Sequence, residues 1–160
     1  EKQKPPARGM SSDEITIHNA AISDIGEVAR LFDAYREFYG KPSDISLSKD
    51  FLSDRINSEE STVLFARIKG ECVGFVQLYP FFSSVRATRL LVLNDLYVDP
   101  LQRRKGVAKQ LMESAVVVAR ASNCRGMLLE TTDDNASAQS LYEKLGWAEE
   151  TGVKHYSLDL

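Results

Sequence analysis

The sequence NDLYVDPLQRRKGVAKQLM, residues 94–112, changes character halfway along its length and decides how the chain folds. It begins as an apolar run typical of a strand, is interrupted at Asp99-Pro100, and continues with helical periodicity. Between the two come Arg103, Arg104 and Lys105, followed by a glycine. Basic side chains are unfavourable at the start of a helix, where the helix dipole is positive. We therefore expect an anion to lie at this turn.

Short strands and helices are predicted on both sides of this turn. The predicted strands are runs of alternating or continuous apolar residues, at 14–18, 62–68, 72–80, 88–98, 126–132 and within 147–158. The predicted helices carry apolar residues three and four positions apart, after the cap candidates Ser23-Asp24, over 48–57, after the basic cluster and over 135–145. A loop is predicted over residues 81–87.

The order of these elements predicts one mixed sheet flanked by helices, an α/β or α+β fold. Lys69-Gly70-Glu71 joins two strands as a hairpin, so those two strands are expected to be antiparallel. The strand of residues 88–98, the following helix and the strand of residues 126–132 form a crossover unit. We therefore expect these two strands to be parallel neighbours.

Length and composition bound the class of protein. The chain has 160 residues, of which 43% are hydrophobic and 27% are charged, values that are ordinary for one globular domain. We expect that domain to span residues 10–160. Residues 1–9 are polar and contain proline, so they are expected to be a disordered tail or a non-native remnant. The net charge of −3 argues against nucleic acid as a partner.

The two cysteines and the hydropathy bear on the compartment. Cys72 and Cys124 follow no metal-ligand spacing, so both are expected to be reduced thiols in a cytoplasmic protein without a metal. No apolar run approaches the length of a membrane span or of a signal-peptide core. We therefore expect no membrane partner.

The basic turn has the composition of a phosphate site. Gly106 and Ala108 are small, so a phosphate could reach the backbone N–H groups of the first helical turn, with Arg103, Arg104 and Lys105 supplying charge around it. A solvated basic turn is the alternative interpretation. The chain contains neither G-x-x-x-x-G-K-[ST] nor G-x-G-x-x-G, which argues against nucleoside-triphosphate and dinucleotide sites.

Three segments, in the right order, resemble the GNAT superfamily of acyl-coenzyme A N-acyltransferases. RRKGVA, residues 103–108, matches its R/Q-x-x-G-x-G/A signature, and NDLYVDP, residues 94–100, is similar to its fourth strand. NASAQSLYEKLGW, residues 135–147, is similar to its N-x-x-A-x-x-L/F-Y-x-K-x-G-F segment. With residues 35–44 and 77–80, the chain is most similar to the microbial branch that includes yeast histone- and D-amino-acid-acetylating members.

The resemblance implies a fold, a cosubstrate and its contacts. The sheet would be mostly antiparallel, with parallel strands four and five splayed apart. The anion would be the pyrophosphate of acetyl-CoA, held by backbone N–H groups, and the pantetheine arm would add to the exposed edge of strand four. The implied cofactor-binding residues are Leu96, Tyr97, Val98, Arg103, Arg104, Lys105, Gly106, Val107, Ala108 and Asn135. Relatives often pair through their C-terminal strands, so a homodimer is a further expectation.

Acetyl transfer to an amine needs a neutral amine, a donor for the tetrahedral oxyanion and a proton for the departing thiolate. By the resemblance, Tyr142 protonates the thiolate, Asn135 contacts pantetheine and the N–H of Val98 binds the thioester carbonyl. Taken alone, Tyr142 lies on the apolar face of its predicted helix and fits a packed core residue. Asn135 alone fits a helix cap.

The general base is left open by the sequence. Some relatives, including polyamine acetyltransferases, carry Glu where this chain has Asn94, and an amide cannot accept the proton. Asp95 is adjacent, but neighbouring residues of a strand point to opposite faces unless a bulge intervenes. Glu130 and a chain of waters to bulk solvent are the other candidates.

The acceptor is expected to be an amine-bearing small molecule or a protein amine. Tyr35, Arg36 and Tyr39, with the loop at 79–84, are candidates to line its pocket, although the aromatic spacing also fits a core. One rival function is a non-catalytic acyl-CoA-binding sensor, for which Asn94 in place of Glu is the argument. Another is a nucleic-acid or phosphoprotein binding module, against which the acidic net charge counts.

Overall fold

The structure is a computed structural model that describes residues 13–160, so the predictions for residues 1–9 and for a domain boundary at residue 10 lie outside it. Five strands form one sheet in the order of the chain. They are β1 (Thr16–Asn19), β2 (Thr62–Ile68), β3 (Glu71–Ser83), β4 (Thr88–Val98) and β5 (Met127–Leu128). Successive strands up to β4 are antiparallel and β4 pairs with β5 in parallel, which confirms the mixed, mostly antiparallel sheet.

Four α-helices belong to the part of the chain that the structure describes. They are α1 (Ile25–Phe38), α2 (Ile45–Asn57), α3 (Val107–Ala121) and α4 (Ala136–Lys144). The chain divides into two compact units. The first unit ends at Leu129 and contains the sheet with α1, α2 and α3, and the second, Glu130–Leu160, contains α4.

The helix starts show how side chains set the boundaries of α1 and α2. Asp24 is a predicted cap of α1, but its Oδ2 instead accepts the N–H of Ala21 at 2.9 Å and closes a 3-10 turn ahead of the helix. Asp44 caps α2, because its Oδ1 accepts the N–H of Leu47 at 2.9 Å. The helix therefore begins at Ile45, three residues before its predicted start.

Alternation along β3 places helices on opposite faces of the sheet. Phe75 belongs to a buried cluster with apolar residues of α1, among them Val28 and Phe32. Gly74 instead lies against Val107 and Leu111 of α3. Because neighbouring strand residues point to opposite faces, α1 and α3 cover different faces of the sheet.

Gly74 allows α3 to begin close to the sheet. A Cβ at this position would lie 3.0 Å from Cγ1 of Val107 and 3.1 Å from the carbonyl oxygen of Tyr97. Contacts this short would displace either the first residue of α3 or the backbone of β4. The absence of a side chain at Gly74 thus fixes the distance between the end of β4 and the start of α3.

The hairpins follow the predictions in part. Lys69 and Gly70 have φ values of 52° and 80°, as the tight turn between β2 and β3 requires. The prediction of a loop over residues 81–87 is wrong for its first half, because β3 continues to Ser83 and pairs with β4 to that point. Pro80, a residue that often ends strands, is accommodated within the ladder.

The C-terminal strands differ from the predictions. The strand predicted over residues 126–132 has only two residues, Met127 and Leu128, because the polar residues after Leu129 are exposed. The strand predicted within residues 147–158 is absent, and in the range 13–160 no strand follows Leu128. Residues 149–160 are exposed. Alternating apolar residues there have no hydrogen-bonding partner strand, and alternation without a partner does not make a sheet.

Two further observations concern cysteines and helix hydropathy. Cys72 is buried and Cys124 is half-buried, and both are free thiols, as predicted. Burial raises the pKa of the Cys72 thiol to about 11.

Across residues 13–160, no helix combines the length and apolar character that crossing a membrane demands.

Candidate active site

The glycine turn, residues 99–106, connects β4 to α3. The backbone N–H of Asp99 donates to the carbonyl of Val73 at 2.8 Å, and its Oδ1 accepts the N–H of Leu101 at 2.9 Å. A 3-10 turn, Pro100–Gln102, follows. Arg104 and Gly106 then adopt left-handed conformations, with φ values of 64° and 86°. Two left-handed residues so close together turn the chain sharply into α3.

The N-terminus of α3 has no side-chain cap. Gly106 is the residue at the cap position and it has no side chain to accept a hydrogen bond. The N–H of Gln110 bonds to the carbonyl of Gly106 at 3.1 Å, but the first three N–H groups of the helix precede any intrahelical acceptor. A Cβ built at Gly106 meets nothing within 4 Å, so space outside the turn is open. This geometry suits an anion.

The three basic residues of the turn differ in their contacts. Arg103 donates from Nε to the carbonyl oxygen of Val98 at 3.2 Å, and its guanidinium lies 5.8 Å from the ring centroid of Tyr97. It is thus attached to the end of β4. Arg104 and Lys105 are exposed, and Nζ of Lys105 donates to Oε1 of Gln102 at 2.7 Å. All three basic residues are exposed around the turn, which lies beside a groove of about 500 Å³ that begins at Gly106.

One edge of β4 is unpaired over most of its second half. Leu96, Tyr97 and Val98 pair with β3 on one side. On the other side β5 pairs only with Leu91 and Val92. Within residues 13–129, no strand pairs with that edge beyond Val92. The predicted divergence of strands four and five is therefore present in this unit.

A β-bulge at Asn94 brings two consecutive side chains to one cavity. Gln77 pairs with Asp95 while Leu78 pairs with Leu93, so Asn94 is an extra residue on β4. Both Asn94 and Asp95 line the same cavity. The sequence left open whether a bulge would permit this, and the structure contains one.

Asp95 forms the polar floor of that cavity. Its side chain is buried, and its two oxygens accept hydrogen bonds from Nε2 of Gln77 at 2.8 Å and Nδ2 of Asn94 at 3.1 Å. These two amide donors fix the orientation of the carboxylate. Each carboxylate oxygen keeps a further lone pair, so Asp95 can still accept a hydrogen bond from a bound amine.

The aromatic cavity, about 450 Å³ in volume, lies between α1, α2 and the strands β3 and β4. Five of its eleven lining residues are aromatic, and its polar groups include one carboxylate and two cations. The lining residues are Phe32, Tyr35, Arg36, Tyr39, Lys41, Leu47, Ser48, Phe51, Tyr79, Asn94 and Asp95. Its volume is in the range of small-molecule sites. Tyr35, Arg36 and Tyr39 lie where they were expected, whereas residues 80–84 of the predicted loop do not line the cavity.

Tyr79 stays neutral in this cavity. Burial, together with the negative charge of Asp95, raises the pKa of its phenol to about 12. At neutral pH the hydroxyl is therefore a hydrogen-bond donor and acceptor and not a base.

Asp33 holds the α2 wall of the cavity in place. Its carboxylate is buried and accepts three hydrogen bonds, from Oγ of Ser43 at 2.6 Å, the N–H of Asp44 at 2.8 Å and Oγ of Ser48 at 2.9 Å. The hydrogen bond from Ser43 is the main cause that lowers the pKa of Asp33.

Sequence reasoning missed four functional candidates, because no motif links residues so far apart in the chain. They are Asp33, Gln77, Lys41 and Phe51.

The remaining predicted residues lie in the second unit. Oδ1 of Asn135 accepts the N–H of Ala138 at 3.3 Å, so Asn135 caps α4 as its alternative interpretation required. Tyr142 is half-buried on α4, with its ring centroid 6.5 Å from that of Trp147. Glu130 is exposed, and its Oε1 lies 3.8 Å from Nδ1 of His155. Their proposed roles in catalysis stay predictions.

Metal-ligand types do not converge in the residues that the structure describes. No group of three or more His, Cys, Asp or Glu side chains is placed to hold a metal ion in the range 13–160.

Comparisons with known proteins identify the family of the chain. The family model described as "Acetyltransferase (GNAT) family" matches residues 28–147. The uncharacterized N-acetyltransferase YhfO of Bacillus subtilis (strain 168) is 42% identical over 146 residues, which cover 91% of this chain and 98% of that protein. A thialysine N-epsilon-acetyltransferase of Bos taurus is 28% identical over 143 residues, 82% of this chain and 83% of that protein.

A solved structure shows the same fold. The crystal structure of a probable acetyltransferase superposes with a TM-score of 0.85 at 37% identity, covering 91% of this chain and 97% of the other. Sequence, fold and glycine turn thus agree, and the chain belongs to the GNAT family of acetyltransferases.

Proposed function

We propose that the protein transfers the acetyl group of acetyl-CoA to a primary amine, by direct attack of the amine within a ternary complex. The observation that carries this proposal is the course of β4. One strand runs from Asp95 on the floor of the aromatic cavity, past Val98, into the glycine turn. Three residues of strand span about 10 Å, so β4 can align an acceptor and a thioester on one rigid element.

Acetyl-CoA is bound mainly by backbone atoms in this proposal. Its pyrophosphate lies at the uncapped N–H groups of Val107 and Ala108, with Arg104 and Lys105 beside it. The pantetheine amides add to the unpaired edge of β4 at residues 96–98. The N–H of Val98 donates to the thioester oxygen and stabilises the charge that develops there.

The aromatic cavity receives the acceptor. An alkylammonium has a pKa of about 10, so it must lose a proton before it can attack. Asp95 binds the ammonium group and accepts that proton, and its hydrogen bonds from Gln77 and Asn94 keep it oriented. The neutral amine then forms the C–N bond at the thioester carbon. The general base on β4 is therefore Asp95 and not Asn94, because the amide of Asn94 has no basic group.

Collapse of the tetrahedral intermediate breaks the C–S bond, and the nitrogen releases its second proton to solvent as the amide forms. The departing thiolate takes a proton. Tyr142 supplies it, a role supported by the match of residues 135–147 to the family segment. Tyr142→Phe is expected to lower kcat roughly ten- to a hundredfold while the Kd for acetyl-CoA stays within about twofold. The matched control is Tyr156→Phe, an exposed tyrosine in the same unit. Equal kcat for both variants would remove Tyr142 from the mechanism.

The whole proposal is tested by two measurements on the intact chain. Calorimetry measures the binding of acetyl-CoA, and release of free thiol measures transfer to a panel of amines. Binding together with amine-dependent thiol release supports the enzyme. Binding without thiol release for any amine would leave the non-catalytic sensor as the function. A folded protein that binds no acetyl-CoA contradicts both.

A further inference from the structure

The charged groups of the aromatic cavity do not match a polycationic acceptor. Arg36 and Lys41 contribute two positive charges and Asp95 one negative charge, so the lining carries a net charge of about +1 at neutral pH. The chain as a whole carries −3. A pocket for diamines or polyamines would be expected to have the opposite balance, because each ammonium group needs a carboxylate or carbonyl partner.

Neither Arg36 nor Lys41 forms an ion pair within the described part of the chain, residues 13–160. Among residues 13–160, no carboxylate lies within 4.0 Å of the charged nitrogens of Arg36 or Lys41. Nη1 of Arg36 is buried and has no hydrogen-bond partner among the same residues. Arg67 differs, since it pairs with Glu27 at 2.8 Å. A buried guanidinium donor without an acceptor costs free energy, and a bound anion would supply that acceptor.

The nearest buried acid does not fill that role. The positive charge of Arg36 helps to lower the pKa of Asp33, so the two groups are close. Oδ1 of Asp33 accepts hydrogen bonds from the N–H of Asp44 and Oγ of Ser48, Oδ2 accepts one from Oγ of Ser43, and within residues 13–160 no ion pair at 4.0 Å or less joins Asp33 to Arg36. The guanidinium of Arg36 therefore retains its capacity for a planar, two-point contact with a carboxylate.

We infer that the acceptor is an amino carboxylate with an apolar or aromatic body. Its amine lies at Asp95, its carboxylate at Arg36 and Lys41, and its body against the aromatic walls, which include Phe32, Tyr35, Phe51 and Tyr79. This inference rests on the proposed function and specifies its substrate class. One ammonium and one carboxylate on the ligand complement one carboxylate and two cations in the cavity, whereas polyamines and aminoglycosides would bring like charges to Arg36 and Lys41.

The test compares acids with matched compounds that lack only the negative charge. Thiol release from acetyl-CoA is measured with racemic phenylalanine, leucine and lysine, with the corresponding carboxamides, and with spermidine. The acids are expected to have kcat/KM values roughly ten- to a hundredfold above their carboxamides, the range for a hydrogen-bonded charged group.

Variants locate the preference within the cavity. Arg36→Met is expected to lower kcat/KM for the acids far more than for the carboxamides, so that the ratio of acid to carboxamide falls toward one. Lys41→Met should lower the ratio less, because the ammonium group makes a single-point contact. Lys49→Met, at an exposed position of α2, serves as the control.

The outcomes separate the two proposals. Acetylation of the carboxamides or spermidine as fast as the acids overturns the amino-carboxylate class and leaves the acetyltransferase standing. Binding of acetyl-CoA without thiol release from these compounds or from the wider amine panel overturns both. The wild-type ratio of acid to carboxamide decides the question even if Arg36→Met does not fold.

Discussion

The glycine turn and the aromatic cavity are adjacent along β4, yet they are built from different parts of the chain. The turn uses main-chain atoms, and its side-chain requirement is that Gly106 have none. The cavity uses side chains from two helices and two strands, from Phe32 to Asp95. A ligand at the turn is recognised by a backbone shape, which a short motif can encode. A ligand in the cavity is recognised by residues that only the fold brings together.

This contrast predicts that changes in the two regions separate kinetically. Changes at the turn should alter the Kd of acetyl-CoA and leave the KM of the acceptor nearly unchanged, and changes in the cavity should do the reverse. The predictions below test the separation, beginning with the largest expected effect.

Gly106→Glu is expected to weaken acetyl-CoA binding roughly a thousandfold, since it places a carboxylate at the proposed position of the pyrophosphate. Gly106→Gln has the same size without the charge and should lose less affinity. Gly106→Ala controls for the strain of a side chain at φ 86°, because its Cβ meets no other atom within 4 Å. Calorimetry and circular dichroism on the three variants make the comparison. Unchanged affinity in a folded Gly106→Glu protein would move the pyrophosphate away from the turn.

Asp95→Asn is expected to lower kcat/KM roughly a hundredfold at pH 7, because an amide cannot accept the proton of the ammonium group. The deficit should shrink as pH rises toward the amine pKa of about 10, where the substrate is already neutral. Acetyl-CoA affinity should hardly change. Glu130→Gln, which removes an exposed carboxylate, is the comparison. If that variant shows the pH-dependent deficit and Asp95→Asn does not, the base has been assigned to the wrong residue.

Asp33→Asn tests how the α2 wall is supported. The variant replaces the carboxylate that accepts three hydrogen bonds with a neutral amide. The free energy of unfolding at pH 7 should fall by about 1–3 kcal/mol, and the KM of the amine substrate should rise. The folded-state pKa of Asp33 lies below its ordinary value of 3.8, so its contribution is present above that pH and is lost as pH falls further. Denaturant unfolding of the wild type should therefore lose stability below about pH 4 more steeply than unfolding of Asp33→Asn. Asp50→Asn, on the exposed side of α2, should show neither effect.

Gly74→Ala tests whether the absence of a side chain at residue 74 sets the distance between β4 and α3. The new methyl group would lie 3.0 Å from Val107, so we expect a loss of about 1–2 kcal/mol in the free energy of unfolding and a small loss of acetyl-CoA affinity. Gly26→Ala provides the matched control in α1, where the added Cβ has no atom within 4 Å. There, alanine should be neutral or stabilising by up to about 1 kcal/mol. A destabilised Gly26→Ala beside an unaffected Gly74→Ala would contradict the close-approach argument.

Local signals in the sequence predicted the first unit well. The residues of β4 were predicted at both ends, since an apolar run bounded by turn residues needs no distant information. The spacing of apolar residues predicted one face of α3 at Ala108, Leu111, Met112, Ala115 and Ala119, of which all but the half-buried Ala108 are buried. The start of α2 was missed because Asp44 is an acidic cap in a polar stretch, with no apolar residue before it to mark the boundary.

The cavity was predicted only in outline. Tyr35, Arg36 and Tyr39 share one helix and so could be grouped from sequence, whereas Lys41, Phe51 and Gln77 reach Asp95 or the cavity only through tertiary packing. The prediction of a C-terminal strand was wrong because it rested on the local pattern alone. Tyr156, Leu158 and Leu160 alternate as strand residues do, but in the structure these residues are exposed. Periodicity indicates that a segment could form a strand, but it does not indicate whether a partner strand is present.

The bulge at Asn94 has a consequence for how such a protein can change over evolution. On either side of the extra residue, Leu93 and Asp95 already face adjacent residues of β3, Leu78 and Gln77. Deletion of Asn94 would therefore close the ladder without shifting the register of residues 96–98. One inserted or deleted codon at this position would therefore remodel the proposed acceptor cavity while the proposed coenzyme edge of β4 keeps its alignment.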